Sequence, residues 1–210
     1  MGRESRGENC EKNRRDNIAN MKAKEKYRLQ RLAKIVAGSC RVLDLGFADM
    51  PNRYLQAEEL VGFDLVKKAG VSDNYTDFVT GDVMDLPEPF GEGSFDAVVA
   101  GELIEHMERP LDFLRGCCDV LDPGGIIVLS TPNPNSPIER LLTIGLSRKF
   151  FYTEDHVMLY PQRWLIRILE IAGFEDVQLY SGGLPVPFFG LVPFPRPWCY
   201  QTIATGKKKG

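Results

Sequence analysis

Between Cys40 and Pro132 the chain passes five times through a short apolar run that ends at a glycine, an aspartate or a proline. The runs are CRVLDLG (40–46), ELVGFD (59–64), YTDFVTGD (75–82), SFDAVVAG (94–101) and GIIVLSTP (125–132), the last following a Pro123-Gly124-Gly125 turn. Short runs rich in Val, Ile and Leu fit strands covered on both faces. Between the fourth and fifth, LDFLRGCCDVL sets Leu111, Leu114, Cys118 and Leu121 on one helical face. A second helix reads from Pro161, a good first-turn residue, through Trp164, Leu165, Ile168, Leu169 and Ile171 to a stop at Gly173. FEDVQLYS (174–181) and CYQTIATG (199–206) read as two last strands. This alternation predicts a doubly wound α/β sheet, with its ligand at the carboxyl ends of the early strands, where the topology switches direction.

Before the sheet, Ile18, Met21, Leu29, Leu32, Ala33 and Val36 recur at helical spacing, so residues 16–37 are expected to form an amphipathic helix ended by Gly38. Glu25 falls on its apolar stripe and predicts loose packing there. With 210 residues, one domain is expected over 16–206, between a flexible basic tail (1–15) and a short basic end (207–210). Two segments, 133–160 and 183–198, depart from the alternation. The second carries five prolines, which exclude a helix or an inner strand.

The 43% hydrophobic and 26% charged content is that of a globular protein. No run reaches the roughly 18 to 20 apolar residues of a membrane span, and the polar first residues lack a secretory core, so a cytoplasmic location is expected. Five cysteines with no CxxC pair suggest free thiols rather than a disulfide framework or zinc site. Residues 1–34 hold 11 of the 26 Lys and Arg but only 5 of the 29 Asp and Glu, so a basic arm precedes an acidic body. Such an arm is either a solvated helix face or a contact for phosphates or anionic lipid.

The loop after the first strand, where a dinucleotide enzyme carries G-x-G-x-x-G, reads Gly46, Ala48 and Met50. Asp44, two residues earlier, would repel a diphosphate but suits a cofactor bearing an ammonium, and S-adenosylmethionine bears an ammonium and a sulfonium. Asp64, 20 residues on at the tip of the second strand, is placed to accept from ribose hydroxyls. Asp82 can accept from an adenine amino group, with Val83 packed on the ring. Pro51 is suited to open the next helix.

Taken together, VLDLG, GFD, GDVMDLP, FDAVVAGELIEHMERP, LDPGG and STPNP resemble, in order and spacing over about residues 40–180, the class I S-adenosylmethionine-dependent methyltransferases. The nearest likeness is to the small-molecule and glycan branch, with its ubiquinone-biosynthesis and sugar methyltransferases. The resemblance implies a Rossmann-like seven-stranded sheet, mostly parallel with the last strand antiparallel, in a single domain with an N-terminal helix. It implies methyl transfer from S-adenosyl-L-methionine, leaving S-adenosyl-L-homocysteine. Cofactor contacts are expected at Asp44, Gly46, Ala48, Asp64, Asp82, Val83, Gly101 and Glu102, with 133–160 and 183–198 on the acceptor side.

Methyl transfer is an in-line displacement, so the protein positions the reactants and supplies a base for a hydroxyl. His106 and His156 are the two histidines and the candidate bases. His106 alternatively bonds to backbone and fixes its loop, and His156 alternatively lies on the surface. Glu105 is a supporting acid or a helix-start residue. Glu154, Asp155 and His156 are adjacent and rarely converge on one ion, so no metal is expected. Enzymes methylating the amino groups of nucleic-acid bases carry N/D-P-P-Y/F where this chain reads AGEL, and the body is acidic, so neither DNA nor RNA is the expected partner. The expected acceptor is a small molecule, saccharide or lipid-linked glycan, methylated at a hydroxyl oxygen by a monomer or homodimer. Phe150–Tyr152 and Phe188–Phe194 either line a pocket, touch a membrane surface or pack on the sheet. Three other readings stay open: a non-catalytic binding module on this fold, an NAD-type oxidoreductase, and an RNA methyltransferase guided by the basic helix.

Overall fold

The computed structural model describes residues 25–48, 50–66, 73–145, 156–186 and 190–210. The expected tail 1–15, Ile18 and Met21 of the expected helix, Phe150–Tyr152, Glu154, Asp155, Phe188 and Phe189 lie outside the described residues.

Helix α1 spans 25–35 of the described chain. There follow β1 (Arg41–Leu45), β2 (Glu59–Asp64), β3 (Asp77–Thr80), β4 (Phe95–Gly101), α2 (Pro110–Val120), β5 (Leu121–Pro132) and α3 (Pro137–Gly145). Then come α4 (Gln162–Ile171), β6 (Phe174–Ser181), β7 (Leu184–Val186), β8 (Gly190–Val192) and β9 (Gln201–Lys208). Seven strands form one sheet in the order β3-β2-β1-β4-β5-β9-β6. β9 runs antiparallel to both neighbours, and the other neighbouring pairs are parallel. This is the expected Rossmann-like doubly wound sheet, and its direction switches between β1 and β4. The proline-rich segment contributes the separate antiparallel pair β7-β8, in keeping with prolines kept out of the main sheet.

The pleat sorts alternate residues into two cores. Leu43, Leu45, Val98, Ala100, Ile127 and Leu129 pack with Phe113, Leu114 and Cys117 of α2 and Leu165 and Leu169 of α4. Val42, Leu60, Ala97, Val99, Val128 and Ile203 pack on the other face with Leu32 of α1 and Val36 just past its end. The buried stripe of α4 is narrower than the sequence pattern, because Trp164 and Ile171 are exposed. Glu25, on the apolar stripe, pairs with Arg28 one turn on, at 2.5 Å. β9 continues through Lys207 and Lys208, into the expected basic end.

One expectation fails. Pro51 does not open a helix: residues 46–48 and 50–58 run to β2 through turns. The backbone there is claimed by side chains instead. Asn52 donates through Nδ2 to the Leu29 carbonyl (3.0 Å) and accepts at Oδ1 from the Tyr54 amide (3.1 Å). Asn74 Nδ2 donates to the carbonyls of Asn52 (3.2 Å) and Leu55 (2.9 Å). Phe47, Tyr75 and Phe78 cover this part of the sheet as a cluster of rings with centroids 5.3 to 5.4 Å apart. Among the described residues no helix is long and apolar enough to cross a membrane.

Candidate active site

The expected cofactor residues gather at the carboxyl ends of β1, β2, β3 and β4. Gly46 turns the chain with φ +67°, a conformation that strains any residue with a Cβ. Just before it, Asp44 is 4% exposed and accepts at Oδ2 from the Tyr75 hydroxyl at 2.5 Å. Burial pushes the Asp44 carboxyl up to about 7, against the Tyr75 hydrogen bond and the charge of Arg28. Asp64 accepts at Oδ2 from the Ala48 amide (2.9 Å) and at Oδ1 from the Val66 amide (3.3 Å). The strand-tip carboxylate therefore also fixes the loop that replaces the glycine-rich turn. Ala48 is buried, and its methyl is accommodated without moving its amide away from Asp64. Asp82 is exposed and caps the short turn Val83–Asp85 by accepting from the Met84 amide (2.9 Å), while Val83 is buried.

Glu102 lies at the end of β4 with φ +54°, a strained value for a residue with a side chain and one often found at functional sites. Its carboxylate accepts from Ser130 Oγ (2.9 Å) and Gln201 Nε2 (2.8 Å), and burial raises its pKa against these bonds and against Arg28. Arg28 reaches over from α1. Its guanidinium donates to Glu25, to Ser130 Oγ (3.4 Å) and to the Met50 sulfur (3.3 Å), and packs so closely on Gly101 that a Cβ there would lie 2.7 Å from Nη1. Arg28, Tyr75, Ser130 and Gln201 were not among the expected site residues. Arg28 had a signal, since it lies four residues before the buried Leu32 on the same helical face. Ser130 had one as the first residue of STPNP, and Tyr75 and Gln201 had none.

Two carboxylates beside a glycine turn fit the ammonium and sulfonium of S-adenosylmethionine, and Asp64 keeps lone pairs free for hydroxyls. The space is less accommodating. Between α1 and the tips of β1 and β4, the cavity lined by Arg28, Leu32, Gly46, Met50 and Gly101 measures about 30 Å³, room for a single water. For a cofactor to occupy this space, α1 and Met50 would have to draw back. Hydrogen exchange over residues 25–35 is therefore expected to slow about a hundredfold with S-adenosylhomocysteine at a hundred times its Kd, since only the ligand-free form opens. Unchanged exchange there, with ligand bound, would remove α1 from the entry route.

Past Glu102 the chain makes the short turn Ile104–His106. The Glu105 carbonyl accepts from the amides of Val157 (2.8 Å) and Met158 (3.2 Å), which draws the end of the 133–160 segment against β4. His156 is thereby brought to His106, their ring centroids 4.8 Å apart and their planes at 72°. The Glu105 side chain is fully buried behind them. Thr131 Oγ1 lies near enough to favour the charged form of Glu105, but neither the Glu105 carboxylate oxygens, the Thr131 hydroxyl nor the Tyr160 hydroxyl makes a hydrogen bond of good geometry within the described residues. Burial, with repulsion from Glu102, pushes Glu105 up to about 8. A Glu105 oxygen and one nitrogen of each histidine all lie within 4.8 Å of one another, close enough to serve one cation. The other expected acceptor-side segment is tied in by Asn133 Nδ2, which donates to the carbonyls of Pro197 (3.2 Å) and Cys199 (2.8 Å).

This arrangement can be set beside proteins of known sequence and structure. The family model for a methyltransferase domain matches residues 16–179. A protein of Mycolicibacterium smegmatis, described as a probable S-adenosylmethionine-dependent methyltransferase, is 31% identical over 157 residues, covering 70% of this chain and 56% of its own length. A ubiquinone biosynthesis O-methyltransferase of Ralstonia nicotianae is 28% identical over 135 residues, covering 62% of this chain and 53% of its own. The chain spans between 22% and 56% of the length of such curated relatives. Among solved structures, a methyltransferase of Thermotoga maritima matches with TM-score 0.70 at 16% identity, over 89% of this chain and 91% of that one. One from Archaeoglobus fulgidus matches with TM-score 0.68 at 20% identity, over 92% and 94%. The two structures share the fold, and the family model spans the sheet from before β1 to β6. The chain belongs to the class I S-adenosylmethionine-dependent methyltransferases.

Proposed function

We propose that this protein methylates a hydroxyl oxygen of a small-molecule or glycan acceptor, with S-adenosylmethionine as donor and His106 or His156 as the base. The observation that carries the reading is the convergence of His106 and His156 beside the end of β4, four residues past Glu102 and next to the cofactor acids. When bound, S-adenosylmethionine supplies a methyl group on a positively charged sulfur, already activated for transfer. Asp44 and Glu102 hold the charged end of the donor, Asp64 the ribose hydroxyls, and Asp82 and Val83 the adenine. A neutral histidine accepts the acceptor's proton as its oxygen attacks, and the Glu105 carbonyl ties the segment that carries His156 to the turn that carries His106. The name O-methyltransferase borne by several relatives supports an oxygen acceptor. The described cysteines are all free thiols, which agrees with a cytoplasmic setting. An NAD enzyme is disfavoured, because no helix start follows Gly46 within the described residues to receive a diphosphate.

A second reading is favoured by the Glu105 oxygens, which make no hydrogen bond of good geometry among the described residues, and by the two histidine nitrogens beside them: these three residues would hold a divalent cation, whose chemistry would be to lower the pKa of an acceptor hydroxyl. This departs from the expectation of no metal. Both readings are tested by calorimetric titration with S-adenosylhomocysteine, with NADH as control, followed by transfer of labelled methyl to catechols, sugar nucleotides and glycolipids. Binding of S-adenosylhomocysteine alone, and label on an oxygen, is the expected result. Binding of NADH alone, or of neither by folded protein, overturns the proposal. Transfer that survives exhaustive chelation selects the histidine base, and transfer lost to chelation and restored by magnesium or zinc selects the cation.

A further inference from the structure

Asp44 sits on the face of β1 that looks toward α1, in a strand otherwise committed to the core. A carboxylate buried this deeply is costly unless it is bonded. One neighbour bonds it through its side chain. The Tyr75 hydroxyl, from the turn before β3, donates to Asp44 Oδ2 at 2.5 Å and accepts from the Asn52 amide at 2.8 Å. Asn52 in turn holds the α1 backbone through the Leu29 carbonyl. The chain of bonds Asp44–Tyr75–Asn52–Leu29 thus joins the strand tip, the loop without a helix and the helix that closes the cavity. Tyr75 is 8% exposed and its ring is packed against both Phe47 and Phe78, which fixes where its hydroxyl oxygen lies.

Resting on the proposed function, we propose that Tyr75 is a positioning residue for the cofactor: its hydroxyl holds Asp44 as an oriented carboxylate, with Oδ1 left for the cofactor's ammonium. The geometry fits that role. Because the hydroxyl receives the Asn52 amide, its own proton is directed at Asp44. A phenol in this position stabilises the charged carboxylate without adding a positive charge that would compete with the ammonium. The other charged groups facing Asp44 are Arg28 from α1, which favours its ionisation, and Asp64 from β2, which opposes it. Burial dominates, so Asp44 takes up its proton near neutral pH, and the Tyr75 hydrogen bond is the largest influence opposing it, ahead of Arg28 and of the Asn52 amide, which also bonds Asp44.

The sign follows. The ammonium pairs with the ionised carboxylate, so cofactor affinity falls as pH drops through the Asp44 midpoint near 7. Tyr75→Phe keeps the ring and deletes the hydrogen bond, so the midpoint moves upward. The shift expected is about one pH unit, equal to about tenfold weaker binding below the midpoint and converging affinities well above it.

The test uses the full chain with its aspartates carbon-13-labelled, and reads the Asp44 carboxyl resonance against pH without ligand, with Asp44→Asn as the assignment control. The expected midpoint is near 7 in the unsubstituted protein and about a unit higher in Tyr75→Phe. A midpoint that Tyr75→Phe leaves in place overturns the role of Tyr75, whatever the protein binds. S-adenosylhomocysteine affinity is then measured from pH 6 to pH 8.5. Loss confined to low pH supports the proposal, and an equal loss at every pH shows a merely structural residue and overturns it. Absence of binding by the unsubstituted protein across the range overturns the proposed function, and with it the purpose assigned to Tyr75, while a shifted midpoint in the same samples identifies which of the two has failed.

Discussion

Asp64→Ala is expected to weaken S-adenosylhomocysteine binding by a factor of about a hundred or more while the protein stays folded. Two interactions are lost. The carboxylate no longer accepts from the ribose hydroxyls, and hydrogen bonds to a charged group are worth about 1.5–3 kcal/mol each, so a pair amounts to at least about a hundredfold. The Ala48 amide also loses its acceptor, and the loop that stands in for the glycine-rich turn loses its tie to β2. The cost to stability is small by comparison, on the order of 1 kcal/mol, because Asp64 is half-exposed at a strand end and its removal opens no cavity. Circular dichroism melting and calorimetry on the same preparation check both parts. Normal affinity in a folded Asp64→Ala protein would sink the assignment of this carboxylate to the cofactor.

Substituting the paired histidines has the other large effect. His106→Gln and His156→Gln are each expected to reduce single-turnover methyl transfer by about a hundred- to ten-thousandfold if the residue replaced is the base, with cofactor affinity held within a few-fold. The rings are in contact, so the two do not act independently, and the double variant is expected to lose far less than the product of the single losses. A residue that merely braces the loop behaves differently: its substitution lowers stability and cofactor affinity along with the rate. Variants that transfer methyl at the unsubstituted rate would remove both histidines from the chemistry. If the cation reading holds instead, both variants lose the response to added magnesium or zinc together.

Much of the sheet was legible because its signals are local. Short apolar runs punctuated by Gly and Asp mark strands wherever they occur, and their spacing leaves room for the crossovers of a parallel sheet. The prolines of 183–198 marked an interruption for the same reason, because missing amide protons act on their own segment, whereas Pro123-Gly124-Gly125 lies inside β5, where the pairing with β4 shifts register. Pro51 shows the limit of such reasoning. It is a good first helical residue, yet the backbone beyond it is bonded by Asn52 and by Asn74, 22 residues further on, and tertiary bonds outweigh a weak local preference.

The candidate site divides along the same line. Asp44, Gly46, Asp64, Asp82 and Glu102 were legible because each ends a strand, and strand ends in this topology meet at one crevice. Arg28, Tyr75, Ser130 and Gln201 were legible at most as helix, strand or motif residues and not as site residues, because nothing in their neighbouring residues records what lies across the crevice. The pairing of His106 with His156 was equally out of reach, since it depends on two amides finding the Glu105 carbonyl after a separation of about fifty residues. What the sequence by itself determined, then, is the order and kind of the elements and the acids at their tips, because propensity, periodicity and turn chemistry act within a few residues. What only the tertiary structure decided is the closed space over Gly46, the tyrosine that holds Asp44 and the meeting of two histidines. These depend on contacts between segments far apart in the chain, and burial gives such contacts their strength.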